Sequence, residues 1–315
     1  MNKVLITGGS GYIGQYIASL LSKNNYDVII TSRNREKKIL GYSNRFMDLL
    51  DSSTITNICH DIDIVIHLAN WDERLIKEHT KEAYFANAYA TRELYLDAIH
   101  CNVRHFIYFS TFHVYGTSNG NIDENSPTHA KTDYALSHLF AEMFLQQQAE
   151  IGNGCNTSII RLTNGIGVPL GNVDKWYLVL NDFCKTAYLH NEIILKSNGL
   201  PLRDFVALQD VASAVKLLIE QVSEEKNSFE IYNISAEHTL SIRDLAYEVK
   251  KTYFERYGQE IQMHIPEVTL EQLQEVRPLT VYSTKIRSLG WAPLCSIKDV
   301  INQIFYSLEI NETIK

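Results

Sequence analysis

The segment Gly8-Gly9-Ser10-Gly11-Tyr12-Ile13-Gly14 constrains this chain more than any other. It follows a β-branched run at 3–7 and opens an amphipathic pattern at 14–23, with Ile13, Ile17, Leu20 and Leu21 on one face. Gly8 lets the turn be tight, Gly11 lets the backbone approach a pyrophosphate, and Gly14 lets the helix lie close to the strand. The helix N-terminus, reached through Ser10, Tyr12 and Ile13, then offers free amide donors and partial positive charge to phosphate.

The alternation continues. Strands are expected at 28–31, 63–68, 106–110 and 158–161, separated by helices at 81–101 and 134–148, which is the signature of a doubly wound parallel α/β sheet of the Rossmann type. Beyond Asn164 the rhythm weakens, and helices at 209–221, 241–253 and 297–308 suggest a smaller α+β substrate-binding lobe at the sheet's carboxyl edge. The division expected is 1–164 for the dinucleotide-binding domain, with 205–235 returning to it through a strand at 230–234, and 165–315 mainly for the substrate lobe. With 315 residues and 45% hydrophobic side chains the chain can bury a large core. Its 29 basic and 37 acidic residues give a net charge of −8, which disfavours a nucleic-acid partner. No run is long and apolar enough for a membrane span, and the first strand begins at residue 3, so a cytoplasmic protein is expected. Five scattered cysteines without a paired motif read as reduced thiols, and no histidine pattern carries zinc spacing, so no metal is assigned.

After the second strand, a cofactor with a free ribose 2′-hydroxyl would need a carboxylate acceptor, but the chain reads Thr31-Ser32-Arg33-Asn34-Arg35. Arg33 can grip a 2′-phosphate with charge-assisted bonds and Ser32 adds a neutral donor, which favours NADP over NAD.

Together with later landmarks these residues resemble the extended short-chain dehydrogenase/reductase family, the NAD-dependent epimerase/dehydratase group that modifies nucleotide sugars. The landmarks are Asp48-Leu49 near the adenine position, His67-Leu68-Ala69 at a strand end, Asn87 in the long helix and Ser110-Thr111 before Val114-Tyr115-Gly116. They continue with Tyr134, Arg161 with Asn164, Arg203-Asp204-Phe205 and Arg277-Pro278. The resemblance implies that Tyr134 exchanges a proton with the sugar oxygen while hydride moves at the nicotinamide, and that Thr111 orients the same oxygen. It also implies a nucleoside-diphosphate sugar held by Arg203, Arg277 and Asn164, with His113 near the sugar, and a homodimer formed through the helices at 81–101 and 134–148.

The departure is at the fourth residue after Tyr134, where the family has lysine and this chain has His138. The lysine's charge lowers the tyrosine pKa and its ammonium holds the nicotinamide ribose. Three readings stay open: His138 makes the ribose contact and carries charge when protonated, it makes only the contact, or the site is catalytically weak. In the first case activity falls as pH rises through the His138 titration. A neutral Tyr134 suits reduction, which starts from a proton donor, better than epimerisation, which starts from a base. Phe112-His113 stands where 4,6-dehydratases of the family carry Asp-Glu, which disfavours dehydration. The function expected is NADP(H)-dependent reduction of a keto group on a nucleoside-diphosphate hexose in deoxysugar biosynthesis. The alternatives are a nucleotide-sugar epimerase with tightly bound NAD(P), and a weakly or non-catalytic NADP(H)-sensing protein.

Overall fold

The structure is a computed structural model and describes residues 2–152, 154–171, 173–222 and 227–313. Eight strands form the main sheet: β1 (Lys3–Thr7), β2 (Asp27–Ser32), β3 (Lys38–Ile39), β4 (Tyr42–Phe46), β5 (Ile64–His67), β6 (His105–Thr111), β7 (Asn156–Leu162) and β8 (Phe229–Ile234). Their order is β8-β7-β6-β5-β1-β2-β4-β3, parallel throughout except where β3 folds back on β4. Burial on both faces explains why β1 reads as a continuous apolar run: Val4 and Ile6 enter one core and Leu5 the other. The first core packs against the helices Tyr12–Lys23 and Leu208–Glu220, the second against 80–100 and Asp133–Glu150.

From β1 the chain builds outward in both directions, through β2 and β4 on one side and through β5 to β8 on the other. The crevice between the carboxyl ends of β1 and β5 is therefore the topological switch point, where such sheets bind ligands. The glycine turn leaves β1 at that crevice.

The helix read at 81–101 is not uniform. It runs as an α-helix over Thr80–Tyr84, widens to a π-turn over Phe85–Tyr89 and resumes over Ala90–His100. The wide turn carries buried Asn87, whose amide donates to the Trp71 carbonyl (3.0 Å) and the Ser137 hydroxyl (3.2 Å) while its oxygen accepts from Trp71 N (2.7 Å). An inserted residue is how a helix turns one side chain onto two neighbours at once.

After β7 the chain enters a three-stranded sheet in which Leu202–Ala207 lies between parallel Asn164–Ile166 and antiparallel Thr239–Ser241. The helices Val179–His190, Ile242–Tyr257 and Ile297–Thr313 enclose a separate apolar cluster there that includes Phe183, Leu245, Val249 and Phe305. Two tyrosines one turn apart on the first helix fasten this lobe to the sheet. Tyr12 Oη donates to the Gly167 carbonyl (2.7 Å) and accepts from its N–H (2.8 Å), and Tyr16 Oη does the same for Val168 (3.0 and 2.8 Å). Residue 167 has to be glycine for this approach, since an added Cβ would stand 2.9 Å from the Tyr16 hydroxyl. Among the described residues, no helix is long and apolar enough to cross a membrane.

Candidate active site

The glycine turn is built as the sequence pattern requires. Gly8 has φ +67°, and a Cβ there would press on the Ala69 backbone at 3.0 Å. A Cβ on Gly14 would meet the Gly8 carbonyl at 2.4 Å, so only glycine lets the helix start this close to the strand. The helix begins at Tyr12 with no side-chain cap and no acidic residue in its first turn, which leaves its amide donors available to an anion. Ser10 gives its carbonyl to Gln15 Nε2 at 2.9 Å.

A cavity of about 450 Å³ runs from this turn across the ends of β5, β6 and β7 to Tyr134. Gly8, Gly11, Tyr12, Ile13 and Gly14 form one end, Leu68 and Ala69 the floor, and Thr111 with Tyr134 the far wall. A glycine cradle that any Cβ would fill, uncapped helix amides and a cleft of this size fit a dinucleotide, with its pyrophosphate at the turn and its reactive ring near Tyr134.

The strand ends that form the floor are held by hydroxyl and imidazole groups. Thr7 Oγ1 accepts from Leu68 N and Ala69 N (both 3.1 Å) and lies 2.6 Å from His67 Nδ1. A hydroxyl with both lone pairs engaged donates its one proton, so His67 Nδ1 is the acceptor and Nε2 carries the hydrogen given to Thr91 Oγ1 (2.8 Å). Thr91 passes its own proton to the Asn87 carbonyl (2.7 Å). Burial lowers the His67 pKa to about 3, and the nearby His138 adds to the effect. Beneath Thr111, Arg161 makes a buried ion pair with Glu142 (2.7 Å), which also accepts from Ser110 Oγ.

Tyr134 lies in the first turn of Asp133–Glu150, whose N-cap is Thr132. Its phenol is pushed up to about 12, mainly by burial; a hydrogen bond with Thr111 works the other way, and the charges of Asp72 and Glu73 raise it further. Thr111 is buried, and its hydroxyl accepts from His113 N at 3.2 Å. The His138 ring stands edge-on to Tyr134 with centroids 4.7 Å apart, yet it is fully buried and lies outside the cavity lining. Its Nδ1 pairs with Tyr108 Oη at 2.7 Å, while its Nε2 is buried without a hydrogen-bond partner. Burial, then the neighbouring His113, bring the His138 pKa down to about 3. Of the three readings of His138, these surroundings favour the ones in which it is uncharged, because taking the ring out of water disfavours the charged form.

The other expected residues divide. Asn87 is spent on bracing Trp71 and Ser137, and Asn164 Nδ2 donates to the Asp204 carbonyl at 2.9 Å. His113 and Arg203 share a second concavity of about 290 Å³ with Lys131 and Thr132, and burial followed by the Arg203 charge lowers the His113 pKa. Arg277 lines a third of about 350 Å³, which meets the second at Ser118 and Asn119. Ser32 ends β2 and exposed Arg33 follows it, both outside the lining of the main cavity, and Arg35 lies 3.8 Å over the Phe46 ring. Asp48 accepts from Leu50 N at 3.0 Å, and Leu49 is buried. Sequence reasoning missed Asp72 and Lys175, which also line the main cavity, and the second tyrosine of the Tyr12/Tyr16 pair. The i, i+4 spacing of those tyrosines was visible; their backbone partners lie more than 150 residues away.

A parallel sheet with an open glycine turn at its switch point and a tyrosine facing it defines a dinucleotide-binding protein of the α/β class. Residues 4–235 match the description of the NAD dependent epimerase/dehydratase family, and the chain belongs to that family. It is 28% identical over 310 residues to the mouse dTDP-D-glucose 4,6-dehydratase, covering 92% of this chain and 84% of the relative. Among solved structures it resembles a UDP-glucose 4-epimerase from Thermotoga maritima with UDP-glucose (TM-score 0.80, 22% identity, 99% of this chain and 100% of that one). It also resembles RMD from Pseudomonas aeruginosa complexed with NADPH (TM-score 0.79, 21% identity, 99% and 100%). At these identities the two structures speak for the fold.

The three buried imidazoles make a prediction. His67, His105 and His138 have pKa values lowered to about 3, with burial as the leading cause in each. Unfolded, each titrates near ~6.5, so above that pH both states are neutral and their contribution is intact; as pH falls from ~6.5 toward 3 the unfolded chain binds up to three more protons and stability is lost. Urea midpoints are expected to hold between pH 8 and 7 and to fall steadily from pH 6 to 4; equal midpoints at pH 7 and 4.5 would contradict the burial of these rings.

Proposed function

We propose that this chain is a cytoplasmic NADP(H)-dependent oxidoreductase that reduces a keto group on a nucleoside-diphosphate hexose. The observation that carries the reading is the setting of Tyr134: a phenol that shares with Thr111 the cavity that begins at the glycine turn, with the His138 ring rather than an ammonium packed one turn on. Thr111, His113, His138, Asp72 and Glu73 are the groups that act on the phenol, and the one cation lining the cavity, Lys175, is taken up by Asp72 and Tyr177. A phenol held neutral is a proton donor at physiological pH, which suits reduction; epimerisation begins by taking a proton from the sugar.

The bound dinucleotide would supply the hydride. This chain's residues do the rest. Thr111 orients the substrate carbonyl, Tyr134 Oη gives its proton to the carbonyl oxygen, and His138 Nε2 steadies the ribose as a neutral partner. Arg203, Arg277 and Lys131 lie along adjoining concavities, a basic track suited to a diphosphate. Arg33, the residue after β2 in the run Thr31-Ser32-Arg33-Asn34-Arg35, which holds no carboxylate, supports a 2′-phosphate and so NADP. The missing cation also favours a second reading, an NADP(H)-sensing protein of little or no turnover. A homodimer is supported by a strip of exposed apolar side chains on the helices assigned to it, with Tyr89, Phe140 and Met143 at 43, 40 and 57% exposure.

Tyr134→Phe is expected to cut NADPH oxidation by nucleotide ketosugars roughly 100-fold or more while leaving NADPH affinity within about twofold. Wild-type turnover in that variant would end the enzymatic assignment, and no turnover by the wild-type protein across a ketosugar panel would favour the sensor. Arg33→Ala is expected to weaken NADPH roughly tenfold or more with little change for NADH, measured by fluorescence titration, because about two charge-assisted bonds to the extra phosphate are lost. Equal losses for both dinucleotides would remove the NADP preference. Met143→Glu should shift the sedimentation of the protein from dimer to monomer; an unchanged dimer would place the interface elsewhere.

A further inference from the structure

Among the described residues that follow β7, Thr163, Gly165, Lys175 and Leu178 line the cavity, and 163–171 with 173–178 form a strap between the lobes. Its near end is fixed at Gly167 and Val168 by the Tyr12 and Tyr16 hydroxyls, with Gln15 Nε2 also donating to the Leu170 carbonyl at 3.3 Å. At its far end Lys175 reaches back across the cleft. Lys175 Nζ lies 3.3 Å from Asp72 Oδ2 and 2.6 Å from Tyr177 Oη, and the Arg74 guanidinium sits over the Tyr177 ring at 5.6 Å. Asp72 follows β5 on the sheet lobe and Lys175 belongs to the strap, and both line the cavity that holds the glycine turn and Tyr134. Lys175 is the one basic side chain among the residues lining that cavity.

We propose that Lys175 is a positioning residue of the dinucleotide site: its ion pair with Asp72 ties the strap to the sheet lobe across the cavity, and that tie governs how fast a bound dinucleotide leaves. The proposal rests on the dinucleotide-binding reading above.

The pair is better placed than an ordinary surface bridge. The two side chains are partly shielded, Lys175 at 28% and Asp72 at 36% exposure, and the Tyr177 hydroxyl fixes the ammonium from a second direction. Burial opposes the Lys175 charge, but Tyr177 and Asp72 outweigh it and the pKa is raised; at Asp72 the Leu75 amide and Lys175 likewise outweigh burial and hold the carboxyl low. Both partners therefore stay ionised through the neutral range. The near end of the strap is anchored by five hydrogen bonds and the Lys175 carbonyl by Asn181 Nδ2, so the ion pair can open while the backbone stays held.

Release is measured directly, by loading the protein with NADPH, or NADH where that binds better, and following the loss of bound-cofactor fluorescence after a chase with excess NADP⁺ or NAD⁺. Lys175→Met keeps most of the side-chain stem. Asp72→Asn keeps an acceptor for the Leu75 amide, since Asn caps helices as well as Asp does, and removes only the charge. Each is expected to speed release roughly fivefold or more, as loss of about one partly shielded ion pair should. The double variant should release no faster than the faster single, Lys175→Arg should stay within about twofold of wild type, and high salt should speed the wild type but not Lys175→Met. Unchanged release in both single variants, or single effects that multiply in the double, overturns the tie; melting curves show whether a variant has lost its fold, and Asp72→Asn decides if Lys175→Met has. Altered release without ketosugar turnover sinks the reductase and leaves the tie standing, turnover with unchanged release does the reverse, and failure to bind either dinucleotide sinks both.

Discussion

A single hydroxyl holds the working edge of this protein together. Thr7 closes β1, receives the amides of Leu68 and Ala69 that continue β5, and gives its proton to His67. These bonds bring the ends of two adjacent parallel strands into register at the switch point, where the backbone must otherwise diverge to feed two different helices. The glycine turn starts from one of those ends and the cavity floor from the other. Because every donor and acceptor in the Thr7–His67–Thr91 chain is matched, its geometry is over-determined, and the cleft above inherits that rigidity. The cost is a buried imidazole that tolerates no proton.

The same economy of neutral groups extends toward Tyr134. Tyr108 stacks near His67 with ring centroids 5.7 Å apart and bonds His138, which in turn stands edge-on to Tyr134. A family site that uses an ammonium at this position depends on charge; here a buried imidazole stands there, and burial pushes its pKa down and that of the phenol up. The charges of Asp72 and Glu73 act on Tyr134, and their sign favours the protonated form. The cavity's one ammonium, Lys175, is engaged by Asp72 and Tyr177 rather than by the phenol.

Much of this was legible in the chain itself. The glycine spacing, the apolar strands and the first helix are local patterns, and local patterns survive translation into structure: the strand read at 106–110 is β6, and the helix read at 134–148 is Asp133–Glu150. The reading at 81–101 found the helix but not its π-turn, because the insertion answers to Trp71 and Ser137, which only the fold brings near Asn87. The identity of His138 was plain, but its charge state was not, since that depends on complete removal from water. Asp72 and Lys175 were invisible for the same reason: an ion pair between residues 103 positions apart leaves no periodic trace.

The route of the chain through the sheet has a further consequence for how the molecule is made. β8 is parallel to β7 and covers its open edge over six residue pairs, yet it is synthesised only after the strap, the helix Val179–His190 and the helix Leu208–Glu220 have emerged. A nascent chain that ends before Phe229 presents the backbone of β7 unpaired, with Ile159 and Ile160 awaiting cover, and such an edge invites pairing with another copy. The nucleotide-binding half cannot be finished on the ribosome as a separate piece; it waits for the other lobe to be threaded through it, and a genetic cut between the two would leave a sheet open on one side.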